Sequence, residues 1–121
     1  MRLMKSLALA GGALVLAASA MAHAEPAPAV FARCAACHSA EKGAAPKIGP
    51  NLWGAYGHKA ASGKFSYSAA LKGAKLTWDD ATLDKWIAGP MQLVPGTMMS
   101  FPGLKDPAKR AEVIAYLKTL H

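Results

Sequence analysis

Cys34 and Cys37 are the chain's only cysteines, and both stand directly before His38 in the run FARCAACHSA, residues 31–40. On a helix, positions i, i+3 and i+4 share one face, so two thiols and an imidazole project to the same side, one turn apart. A dithiol couple, a metal site and a covalent haem anchor all use such residues. A redox dithiol needs a βαβ setting, and a zinc site needs four protein ligands; neither a βαβ pattern nor another cysteine is present. A disulfide across two intervening residues closes too small a loop to add much stability, and it leaves His38 unexplained. The spacing suits haem best: two thioethers bond one edge of the ring while the adjacent imidazole reaches the iron.

A haem iron held by His38 takes a sixth ligand or stays open. Met91, Met98, Met99, His58 and His121 are the candidates after residue 24. Most methionines fill gaps in a core or lie on a surface. Met98 and Met99 differ in context, because they stand between the turn-forming VPGT and SFPG. A strap of that kind brings a thioether to the face opposite His38. Spacing alone does not choose between the two.

The elements that must position these groups read as short helices. A helical pattern covers 30–40, and residues 41–65 are loop, with five glycines and two prolines. Ser68 is placed to cap a short helix ending at Gly73. Thr77 with Asp80 makes a capping-box pattern; Leu83, Trp86 and Ile87 form an apolar stripe, and Gly89-Pro90 stops it. Residues 89–103 have no period. Asp106 then caps a helix with Pro107 at its first position, and Val113, Ile114, Leu117 and Leu120 line one side. Nothing alternates as a strand. The reading is all-α, one small domain with long loops. Its scattered apolar residues do not close an ordinary core, and loops this long should wrap something; a large flat apolar cofactor supplies the missing interior.

The first 24 residues have a different composition. Arg2 and Lys5 precede an apolar run at 7–20, and Ala22 and Ala24 flank His23. This is the pattern of a secretory signal cut after Ala24, with Ala18-Ser19-Ala20 as the other site. The run falls short of the ~20 residues that span a bilayer. The expected domains are therefore 1–24, signal peptide, and 25–121, the exported domain. With Arg2 and Lys5 removed, 12 Lys and Arg face 7 Asp and Glu, a formal charge of +5. Export and the lack of a basic run with interleaved aromatics argue against nucleic acid. An acidic redox partner suits such a surface.

CAACH, KIGPNLWGAYG, FSYSAALK, LTWDDATLDKWIAGP, VPGTMMSFPGL and VIAYLKTL resemble, in that order, the class I cytochromes c. The likeness is greatest to the mitochondrial protein and its bacterial periplasmic relatives, and it runs over 30–120. The resemblance implies the class I fold, short helices and long loops around one haem c bound through Cys34 and Cys37. It implies His38 and Met99 as axial ligands, Met99 being the second residue after P-G-T. Pro50 would offer its carbonyl to His38. Tyr67, Trp78 and Thr97 match positions that bond the haem propionates or support that bonding, and Phe101 matches the aromatic residue over the haem edge. The first and last helices should cross, with Val30 or Phe31 on Val113, Tyr116 or Leu117, and the first helix should be about a turn short. Departures from the pattern are His58 for an arginine, Leu71 for a polar residue, Trp86 for a tyrosine, and Met91, Gln92 and Met98 for lysines. Arg33, Lys47 and Lys105 keep part of the basic ring, so the docking face is more apolar than in the mitochondrial type.

The function implied is electron transfer, one electron at a time, by a periplasmic monomer without stable membrane insertion and without enzymatic activity. Its redox protein partners would dock at the exposed haem edge through acidic surfaces. A haem enzyme or small-ligand sensor with a displaceable sixth ligand is the alternative; the sequence shows no distal acid–base pair for it. A secreted binding module with a Cys34–Cys37 disulfide is the third. Trp53 and Tyr56 read as packing, His121 as solvated, and Lys42, Lys72, Lys75, Lys85, Lys109 and Lys118 as mostly solvated faces.

Overall fold

The computed structural model describes residues 11–13 and 26–121. The expected signal peptide, 1–24, lies outside the described residues apart from that short stretch. A 3₁₀ turn at Ala29–Phe31 leads into α1, Ala32–Ala35; α2 is Ala69–Ala74, α3 Asp80–Ala88, α4 Pro90–Leu93 and α5 Pro107–Lys118. Among the described residues the only β pairing is an isolated bridge between Lys59 and Thr77. The all-α expectation holds.

The local signals fail or succeed for identifiable reasons. The helical run expected over 30–40 is regular only to Ala35, although the His38 amide still donates to the Cys34 carbonyl at 2.9 Å. Ser68 caps α2 as expected, accepting from the Leu71 amide. The helix does not stop at Gly73: it continues to Ala74, and Lys75 takes the left-handed cap at φ 52°. Thr77 is not the cap of α3. The Trp78 amide donates to the His58 carbonyl at 2.9 Å, which keeps 77–78 extended against the 57–60 loop. Asp79 caps instead, its carboxylate accepting from the Thr82 amide at 2.8 Å. The segment 89–103 begins with one helical turn, α4, because Pro90 is pre-set for a first helical position. α5 starts at Asp106 and Pro107 as expected, the aspartate accepting from the Ala108 amide.

α3 and α5 pack on each other, and the 3₁₀ turn packs on α5. Phe31 meets Tyr116 edge to face, centroids 4.7 Å apart, which is the crossing that was expected. Leu83, Trp86 and Ile87 of α3 join Val113, Ile114, Leu117 and Leu120 in the core. No residue between 41 and 70 is buried; Leu52, Trp53, Tyr56 and Tyr67 of that stretch are half-buried and pack against the cluster.

Candidate functional site

His38 is built into the loop that follows it. Its Nδ1 lies 2.7 Å from the Pro50 carbonyl oxygen. A carbonyl only accepts, so Nδ1 carries the proton and Nε2 keeps its lone pair for a metal. Burial lowers the pKa of this imidazole, and the Pro50 bond opposes the shift. The ring rests on bare backbone: a Cβ on Gly49 would overlap it at Cε1, and would lie 2.7 Å from Nδ1. The Gly49 amide donates to the Cys37 carbonyl at 2.8 Å, which ties the loop to the cysteine turn.

Cys34 and Cys37 are both half-buried and are not joined to each other. Burial pushes the Cys34 thiol above its ordinary pKa, with Arg33 pulling the other way. The Arg33 guanidinium lies over the Phe101 ring, 5.0 Å from its centroid, so the cysteine turn touches the strap that carries Met99.

Cys34, Tyr67, Trp78, Met99 and Phe101 pack against the same buried cluster. Trp78 stacks obliquely on Trp86 at 5.2 Å, and Tyr67 accepts at its hydroxyl from the Gly63 amide. Thr97 is half-buried, its amide donating to the Val94 carbonyl. Met98 and Met99 differ sharply: Met99 is half-buried on the cluster, and Met98 is 72% exposed. Met91 and His58 are exposed. His121 is exposed and its Nδ1 lies 2.9 Å from the Lys118 carbonyl oxygen. Among the described residues, no three His, Cys, Asp or Glu side chains gather as a metal site.

Two unpaired thiols a turn apart, an imidazole whose Nδ1 is engaged by Pro50 and whose Nε2 is left for a metal, and a glycine cradle beneath it fit haem c. The family model described as Cytochrome c matches residues 24–121. The chain belongs to the cytochrome c family. Cytochrome c2 of Rhodomicrobium vannielii is 48% identical over 118 residues, covering 95% of this chain and 94% of the relative. Cytochrome c of Cannabis sativa is 47% identical over 87 residues, 71% of this chain and 78% of that one. The solved structure of cytochrome cH from Methylobacterium extorquens superposes with a TM-score of 0.70 at 50% identity, covering 74% of this chain and 91% of the other. This cytochrome c therefore carries covalent haem c, with Cys34 and Cys37 as the attachment pair, and is an electron carrier rather than an enzyme.

Residue patterns missed several contributors. Gly49 stood in view within KIGPN, but only the fold brings His38 onto it. Tyr56 and Lys118 are more than packing and solvated charge. The Tyr56 hydroxyl donates to one Asp80 oxygen, and Lys118 donates to the other at 2.7 Å, joining the 56 loop to α3 and α5. Arg110 also escaped notice.

Proposed function

We propose that the protein is an exported electron carrier, freed of residues 1–24 in the periplasm, working as a monomer with His38 and Met99 as iron ligands. When bound, haem c supplies a reversible Fe(III)/Fe(II) couple. The observation that carries the ligand assignment is the contrast in burial: Met99 lies on the apolar cluster and Met98 in solvent. Pro50 holds His38 in one tautomer and raises its basicity. Trp78, Phe101 and Tyr67, half-buried on the same cluster, would shield the haem from water, and Tyr67 and Thr97 carry hydroxyls suited to the propionates.

No helix of the described residues is long and apolar enough to cross a membrane. Among the described residues the exposed large apolar side chains are Ile48 at 80%, Met98 at 72% and Met91 at 52%; Ile48 adjoins Gly49, and Met98 stands beside Met99. Lys47 is pinned beside Ile48 by its bond to the Ala35 carbonyl, and Arg33 lies over Phe101. Exposed apolar side chains with a few cations beside them suit redox partners that offer apolar surface and a few carboxylates. Their association should be transient and slow as salt rises, less steeply than for a wholly lysine-ringed face.

The test is optical. Haem-matured wild type, Met98→Ala and Met99→Ala are reduced and exposed to carbon monoxide. Only Met99→Ala should bind it readily. Ready binding by wild type would overturn His38/Met99 closure and point to a sensor or catalyst.

A further inference from the structure

The strap bearing Met99 is held at its ends. Among the described residues, its backbone bonds between 94 and 103 are local: Thr97 amide to Val94 carbonyl at 3.1 Å, and Phe101 amide to Met99 carbonyl at 2.9 Å. No side-chain hydrogen bond joins residues 95–102 to the rest of the described chain. Where the thioether sits is therefore set by apolar contact, by the Arg33 guanidinium over Phe101 and by the two feet of the strap.

The downstream foot is closely built. Gly103 has φ +102° and is buried, and a Cβ there would overlap the Ala88 carbonyl. The Leu104 amide donates to the Ile87 carbonyl at 2.8 Å, and Lys105 Nζ donates to the Ala88 carbonyl at 2.7 Å. From the other side Arg110 of α5 reaches in. Its Nη1 donates to the Leu104 carbonyl at 3.0 Å and the Lys105 carbonyl at 2.9 Å, while Nε donates to Asp84 of α3 at 2.7 Å. Its side chain is only 13% exposed.

We propose that Arg110 is a positioning residue for Met99: its guanidinium clamps the foot of the strap between α3 and α5 and so keeps the thioether seated. The proposal rests on the reading of Met99 as the sixth ligand. The planar fork serves three acceptors at fixed angles; a lysine ammonium is a single compact donor on a flexible stem and does not replace it.

The experiment uses haem-loaded wild type, Arg110→Lys, Arg110→Met, Met99→Ala and Glu112→Gln. Glu112 pairs with Lys109 on the same helix and is a charge control. Two quantities are measured: the rate at which ferrous protein binds carbon monoxide, and deuterium exchange at the Leu104 amide. Both Arg110 variants should bind carbon monoxide at least tenfold faster than wild type and more slowly than Met99→Ala. Their Leu104 amide should exchange at least tenfold faster, while amides around Phe31 stay within threefold. Glu112→Gln should match wild type. Folded Arg110 variants with wild-type rates in both assays would overturn the clamp. Loss of the fold in both would also overturn it, by making Arg110 a general stabiliser. If Met99→Ala fails to open the iron, the ligand reading falls instead, and the clamp is judged on Leu104 exchange alone.

Discussion

Gly49 and His38 approach so closely that no other residue type fits at 49: a built Cβ would stand 2.7 Å from Nδ1 and 2.9 Å from Nε2 of the imidazole. The need is for space, since Gly49 is not among the positive-φ residues. Gly49→Ala must push the ring off the Pro50 carbonyl or move the loop. Overpacking of this kind costs about 1–3 kcal/mol. The expected result is a lower denaturation midpoint and fewer haems per chain in a pyridine haemochrome assay. Wild-type values for both would show that the ring is not held.

The edge-to-face pair of Phe31 and Tyr116 joins the start of the fold to its end. Phe31→Ala leaves a cavity at a buried position, and changes of that type cost about 3–5 kcal/mol. Urea unfolding should show a large fall in midpoint with an unchanged slope. A loss under about 1 kcal/mol would mean that the helix crossing is not a main source of stability.

Gly73 and Lys75 test where α2 ends, which the sequence placed at Gly73 and the structure places at Ala74. Gly73 is inside α2 with nothing within 4 Å of a built Cβ, so Gly73→Ala should stabilise by roughly 0.5–1 kcal/mol. Lys75 sits at φ 52°, where a side chain is disfavoured, and Lys75→Gly should raise the melting temperature by a few degrees. Were Gly73 the left-handed cap, its alanine variant would melt lower.

Asp80, Tyr56 and Lys118 make stability depend on pH at both ends. Hydrogen bonds from Lys118 and then Tyr56 hold the Asp80 carboxyl below its usual range. That contribution is full above the unfolded value of about 4 and fades as pH falls through the lower folded value. Lys118 is raised by its bond to Asp80, so its contribution is full below the unfolded value of about 10.4 and fades as pH rises through the folded one. Tyr56 is raised by the same carboxylate. The melting-temperature gap between wild type and Asp80→Asn should be level from about pH 5 to 9 and close below about 4. Asp80→Asn should also lower the pH at which Tyr56 ionises in an ultraviolet titration. A gap that ignores pH would show that these exposed pairs add nothing.

Cys34, Cys37 and His38 were legible before any fold, because their chemistry lies in residue types at helical spacing. The α5 cap at Asp106 and the stripe Val113, Ile114 and Leu117 were equally open, since capping and periodicity are local. Asp79 was missed in favour of Thr77 because the deciding bond, Trp78 to His58, comes from a loop some twenty residues away. The choice between Met98 and Met99 could not come from spacing either: adjacent residues in an aperiodic strap take their facing from where its ends are anchored. Only the tertiary structure put Gly49 under His38, joined Tyr56 and Lys118 to Asp80 across 24 and 38 residues, and carried Arg110 to Asp84 across 26. The last three pairings depend on how α3 and α5 pack, and the first on how the loop to Pro50 folds back on the cysteine turn. A local run of residues fixes which groups can react; the packed core fixes which of them meet.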